Sequence, residues 1–155
     1  MNKEINRLYI ALVAIVALFL VFSCNAQGYR PRVAPLALSF ISGAAWGLHE
    51  KTAHHWDRFS ERFPGANPQW WNPQESWRNK YRNGGRQNGR NKIPIWFTDA
   101  AHLTATINQT AIFGAGITIA IGEHREWWHY AADAGLSFLA YSIGNELTFN
   151  WIYKK

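Results

Sequence analysis

Asp99 and His102 stand three residues apart in "TDAAHL", and His129 and Asp133 stand four apart in "HYAAD". Either spacing puts both side chains on one face of a helix, close enough to touch. A carboxylate that grips one ring nitrogen of a histidine fixes its tautomer, leaving the other nitrogen as a base or a metal ligand. Each pair also has a plain structural use. Asp99 can cap a helix that starts at Ala100, and His129 with Asp133 can form a local ion pair at a helix start. Glu146 is the third acid of interest. In "GLSFLAYSIGNELTFNWIY" it is a charge inside an apolar helix, and such a charge is costly unless it is paired or reached by water. His54, His102, His129, Asn108 and Gln109 are its available partners. If the last two long helices run antiparallel, Glu146 and His102 come to the same end, with Asp99 orienting His102. The candidate catalytic residues are therefore Asp99, His102 and Glu146, with His129 and Asp133 as a separate pair at the opposite end.

The six histidines also raise metal chemistry. His54, His102, His129 and Asp133 are the candidate ligands; the first expectation is no cofactor, and a divalent metal is the one these residue types would suit. His49-x4-His54-His55 and His124-x4-His129 resemble the histidine boxes of membrane di-iron hydroxylases and desaturases. That resemblance implies about three boxes, and no third paired box is present here. Haem held by two histidines fits by residue type alone. The plain reading is that these amphipathic rings sit at helix ends and interfaces.

These residues must be positioned by helices. Apolar residues cluster in blocks, and a polar, basic, Trp-rich block lies between them; the net charge of +6 is carried mostly by that block. A charged start (Lys3, Arg7) and an uncharged apolar run over 8–22 have the design of a secretory signal or anchor. Three endings stay open. Cys24 in "VFSC" is a candidate lipidation site, "CNA" before Gln27 reads as a cleavage site, and the uncut run is about long enough to span a bilayer. The fold expected is all-α: a small membrane-associated helical bundle with an N-terminal signal or anchor helix over 1–26 and a bundle over 33–155. Within it, 33–63 reads as a helix, 64–94 as a basic aromatic loop punctuated by Pro, Gly and Asn-Pro, 99–121 as a helix and 131–153 as the last helix. Spans at 5–23, 33–48, 103–121 and 131–152 would place most Lys and Arg on one side of a membrane. The rival is an anchored bundle whose later helices do not span. Thr104, Thr106, Asn108, Gln109 and Thr110 make the third segment polar for a span, and Asp133, Asn145 and Glu146 do so for the fourth.

The blocks "NPQESWRNKY" and "IWFTDAAHL" resemble a region of uncharacterised small bacterial and phage-associated membrane proteins, over about residues 39–149. "WFTDAAHLTAT" and "SIGNEL" more faintly resemble small predicted periplasmic lipoproteins, with the Asp-to-His spacing one shorter and a lysine missing. Neither resemblance implies an activity; the three readings of the N-terminal run all point to the bacterial envelope, at the inner membrane or anchored in the periplasm. The function expected is a structural or interaction role, with membrane lipids and other membrane proteins as partners. A small metal- or acid/base-dependent membrane enzyme acting on a lipid or envelope substrate is the alternative. The basic, aromatic stretch suits anionic headgroups; no nucleic-acid module is present, and nucleic acid is not an expected partner.

Overall fold

The structure is a computed structural model; it describes residues 31–81, 95–121 and 124–151. The N-terminal segment with Cys24, most of the basic stretch and the last residues lie outside that range. The described residues are all-helical, with no strand among them.

Helix α1, Val33–His54, starts after the extended Arg32 and carries Pro35 in its first turn, where proline removes no helical hydrogen bond. It ends at His55, whose φ of −135° and ψ of 40° leave the helical region. A separate short helix, α2 (Trp56–Arg62), follows. The single helix expected over 33–63 is thus broken at His55, a change of direction that periodicity alone does not reveal.

The stretch expected as an unstructured loop is also partly ordered. Asn67 and Asn72 each accept the backbone N–H two residues on, from Gln69 and Gln74, both at 3.0 Å. In each case a proline takes the first helical position, starting α3 (Pro68–Trp71) and α4 (Pro73–Ser76). Asn-Pro is an efficient start here because the side chain caps an orphan donor while the proline has no N–H to lose. A 3-10 turn, Trp77–Lys80, completes the segment. Asn79 ties it down, donating to the carbonyls of Gln69 (2.5 Å) and Thr98 (3.2 Å).

Helix α5 runs Ala100–Ala120 and is capped by Asp99. Helix α6 runs Trp127–Glu146 and widens into a π-helical turn, Leu147–Trp151. It therefore begins earlier than the expected 131, taking in Trp127 to Tyr130.

α1 is central. It packs along both α5 and α6, while those two touch each other only sparsely. The paired residues fix the directions. Arg32 meets Thr118 and Ile119, Ser42 meets Asn108, and His49 meets Ala101, so α1 and α5 are antiparallel. Arg32 meets Asp133, Gly43 lies on Tyr141, and Gly47 lies on Asn145 and Thr148, so α1 and α6 are parallel.

The α1–α6 contact is backbone on backbone. A Cβ on Gly43 would collide with the Tyr141 carbonyl. One on Gly144 would collide with the Phe40 carbonyl and lie 2.9 Å from the Ala44 nitrogen; one on Gly47 would lie 2.7 Å from the Asn145 carbonyl. Gly43 and Gly47, four apart, make the small-residue stripe that permits this approach.

What fills the interior follows from that closeness. The buried apolar residues are Ala45, Ala100, Ala111, Ala115, Leu136 and Phe59, joined by Ser39, Ser42, Thr52, Thr104 and Ser137. Many of the large apolar side chains are exposed instead. Val33, Ile41, Ile112, Phe113, Ile121, Trp127, Phe138 and Ile143 are all exposed, Phe113 by 71% and Phe138 by 69%. The interior between the long helices thus holds mostly small and hydroxylated residues, where large aliphatic and aromatic groups more commonly fill a centre.

Among the described residues, no helix is long and apolar enough to cross a membrane. The three later spans of the four-span arrangement therefore have no helix that meets that requirement. The polar residues responsible include Ser39, Ser42 and Thr104, which are buried between helices.

Candidate functional site

The α5 N-terminus holds the sharper candidate. Asp99 is fully buried and extended (φ −164°, ψ 169°), the geometry of an N-cap. Its Oδ1 accepts the backbone N–H of His102 at 2.9 Å. The His102 ring turns back onto the same carboxylate, with Nδ1 at 2.9 Å from Oδ1 and 2.8 Å from Oδ2. Because an ionised carboxylate only accepts, Nδ1 carries the proton, and Nε2 of the neutral ring carries the lone pair. The Thr98 hydroxyl lies 3.2 Å from Oδ2 and 2.7 Å from the Ile95 carbonyl. The His102 side chain is one-third exposed. Capping and histidine orientation, two alternatives from sequence, are thus both met by one carboxylate.

A second histidine approaches from α1. His49 Nδ1 lies 3.2 Å from the Ala101 carbonyl and 3.4 Å from the Thr104 hydroxyl, and Trp46 stacks on its ring at 5.1 Å. His49 was not singled out with this pair, since only the antiparallel packing of α1 on α5 brings it there.

Glu146 lies at the same end of the layer, as antiparallel α5 and α6 require. Its described hydrogen bond is from Asn150 Nδ2 at 2.8 Å, one turn on along its own helix. None to Asp99 or His102 is found among the described residues, and α1 stands between the two helices. His54 lies near Glu50 at 3.8 Å, both on α1.

At the opposite end, Asp133 is buried with 1% of its side chain exposed. Arg32 Nε and Arg125 Nη1 lie 3.8 and 3.9 Å from its Oδ2, and the Arg32 backbone N–H donates to Oδ1 at 3.5 Å. Arg32 Nη1 donates to the Thr118 and Ile119 carbonyls, at 3.0 and 2.7 Å. A cation is thereby seated on the negative end of α5. The Arg32 guanidinium also faces the Tyr130 ring at 5.9 Å, and the Tyr130 hydroxyl accepts the Arg125 N–H at 3.3 Å. The His129 ring lies 3.8 Å from that of Trp128. One carboxylate thus joins the start of α1, the end of α5 and the start of α6. Neither arginine was a candidate from sequence: Arg32 lies 101 residues from Asp133, and Arg125 reaches it from just before the helix that carries it.

The four candidate metal ligands are split between the two ends, His54 and His102 at one, His129 and Asp133 at the other. Among the described residues, no group of three or more His, Cys, Asp or Glu could hold a metal ion. What the assembled residues can do is narrower: His102 Nε2 can accept a proton, with Asp99 stabilising the charged ring. Cys24 lies outside the described residues.

Compared with family models, with curated proteins and with solved structures, the chain matches none.

Proposed function

We propose that this protein is a structural or interaction element of the bacterial envelope, a helical layer held at a membrane with its outward apolar side chains against lipid or a membrane protein. The observation that carries the reading is the pattern of burial: small and hydroxylated residues between the long helices, and many large apolar ones exposed, Phe113 and Phe138 foremost. Removing apolar area from water gives about 25 cal/mol per Å². An interior built largely of alanine, serine and glycine gathers little of that, whereas Phe113, Phe138, Ile112 and Ile143 gather it only on meeting a second apolar phase. Without water to drive association, small residues that let helices approach closely are what holds such a layer together. The N-terminal apolar run agrees with an anchor. Since no described helix is apolar enough to cross, the contact proposed for α1, α5 and α6 is with apolar surface along their sides.

Flotation with liposomes tests this. Full-length protein should float with vesicles after alkaline carbonate treatment, and a photoactivatable phospholipid should label the outer faces of α5 and α6, less so in Phe113→Asp with Phe138→Asp while helicity is kept. Labelling absent from those faces in floated protein would remove them from the contact.

The Asp99–His102 geometry favours one second reading, an acid/base enzyme acting on a lipid or envelope substrate with His102 as the base. Incubation with fluorogenic acyl esters and phospholipids checks it. Turnover that disappears in His102→Gln would support catalysis, and turnover no greater than a blank would remove it.

A further inference from the structure

The residues after the break at His55 build a cleft that neither the layer nor the Asp99–His102 pair uses. Phe59 is buried, with Phe63 and Trp71 packed on it at ring distances of 5.1 and 5.4 Å. Leu48, Phe63, Pro64, Gly65, Ala66 and Trp71 continue the walls around a space of about 540 Å³. That size lies within the range of small-ligand pockets, about 300–1,000 Å³. Arg62 is the charged residue of the lining, and its side chain is exposed. Arg58, exposed one turn earlier, shares the short helix with Asp57 and Glu61, so Arg62 stands out by its place in the lining rather than by a net positive surface. Arg58 acts as far as Lys51, whose pKa is lowered by burial and then by this charge.

Apolar walls with a cation at the mouth match an amphiphile of one kind. We propose that this cleft binds a single acyl chain bearing an anionic head, with the chain against Phe59, Phe63 and Trp71 and the head at Arg62. A neutral chain would leave Arg62 unused, and a cationic head would face it with like charge. The proposal does not rest on the membrane reading, because the cleft is formed by α1, α2, the turn after it and Trp71 of α3 rather than by the outer faces of α5 and α6.

Photo-crosslinking tests it on the full-length protein, using decanoic acid that carries a diazirine in its chain and the matching decanol, both below micellar concentration. Label should map by mass spectrometry to Leu48 and residues 59–71. It should be competed by decanoate and fall as the competitor is shortened, by up to about fourfold per methylene removed. The acid should label more strongly than the alcohol, and Arg62→Ala should lower acid labelling about fivefold, the scale of an exposed ion pair, with alcohol labelling unchanged. Phe63→Ala should lower both. Circular dichroism checks that the exposed Arg62 substitution leaves the fold intact. Equal labelling by acid and alcohol, or acid labelling unaffected by Arg62→Ala, would overturn the proposal. Label spread over Ile112, Phe113 and Phe138 instead would also overturn it while supporting lipid contact at the outer faces.

Discussion

Asp99 does two jobs at once, and substitution can separate them. Asp99→Ala removes the cap and the histidine's partner, and should cost about 1–2 kcal/mol of stability. Asp99→Ser retains a capping oxygen but cannot grip the ring, so most of that stability should return. Nitrogen NMR of His102 should then show the Nε2–H tautomer gaining population, with the tautomer of His49 unaffected. No change at His102 would mean that the carboxylate only caps the helix. Asp133 calls for a different expectation, because it is buried against two guanidiniums. Asp133→Ala leaves those charges facing each other with no acid between them, and removing one partner of a buried pair costs about 3–5 kcal/mol. Thermal unfolding should show a larger loss than for Asp99→Ala. Lys51 is a buried cation over the Phe149 ring at 5.1 Å, and its pKa is held below the ordinary 10.5, by burial first and by Arg58 second. The unfolded chain binds this proton more tightly, so the charged form costs stability below the folded pKa. That cost fades as pH rises through the folded pKa towards 10.5. Lys51→Met should therefore be the more stable protein at pH 7, with a gain that shrinks as pH rises towards that value.

At the scale of elements, the contact between α1 and α6 depends on three positions without a side chain. Gly144→Ala must push the α1 backbone away at the Phe40 carbonyl, where no flexible side chain can yield. Overpacking of this kind costs about 1–3 kcal/mol. Gly135 on the same helix has open space around its Cβ position, so Gly135→Ala should be neutral or slightly stabilising. Equal effects of the two substitutions on unfolding would contradict the close approach. The long helices and the local Asp99–His102 pair were legible in the sequence because each depends on spacing within one segment. So was the shared end of His102 and Glu146, which follows from antiparallel α5 and α6. The position of α1 between those helices was not legible, and neither was the Arg32–Asp133 pair, with partners 101 residues apart. Asn67-Pro68 and Asn72-Pro73 were read as loop punctuation, although the same residue types begin helices when the following backbone turns. Periodicity carried the expected helix through His55, since a single residue leaving the helical region does not disturb the apolar pattern on either side.

For the molecule as a whole, what matters is which environment surrounds the three long helices. Their mutual contacts use small residues and hydroxyls, including Ser42, whose side chain donates to the Asn108 carbonyl at 3.1 Å. Phe113 lies two residues on from the buried Ala111, about 200° around the helix and so directed away from α1. Sequence alone suggested spans by reading the apolar residues as continuous. The structure separates them into an outward apolar set and a buried small, polar set, a distinction that average hydropathy blurs. The most direct measurement is electron paramagnetic resonance of spin labels at Phe113→Cys and Phe138→Cys, with native Cys24 replaced by serine and the protein bound to liposomes. Collision with lipid-soluble oxygen should lie well above collision with a water-soluble nickel chelate at both positions, and the reverse should hold at an exposed polar control, Gln74→Cys. Chelate accessibility at Phe113 and Phe138 equal to that at the control would contradict lipid contact at those faces.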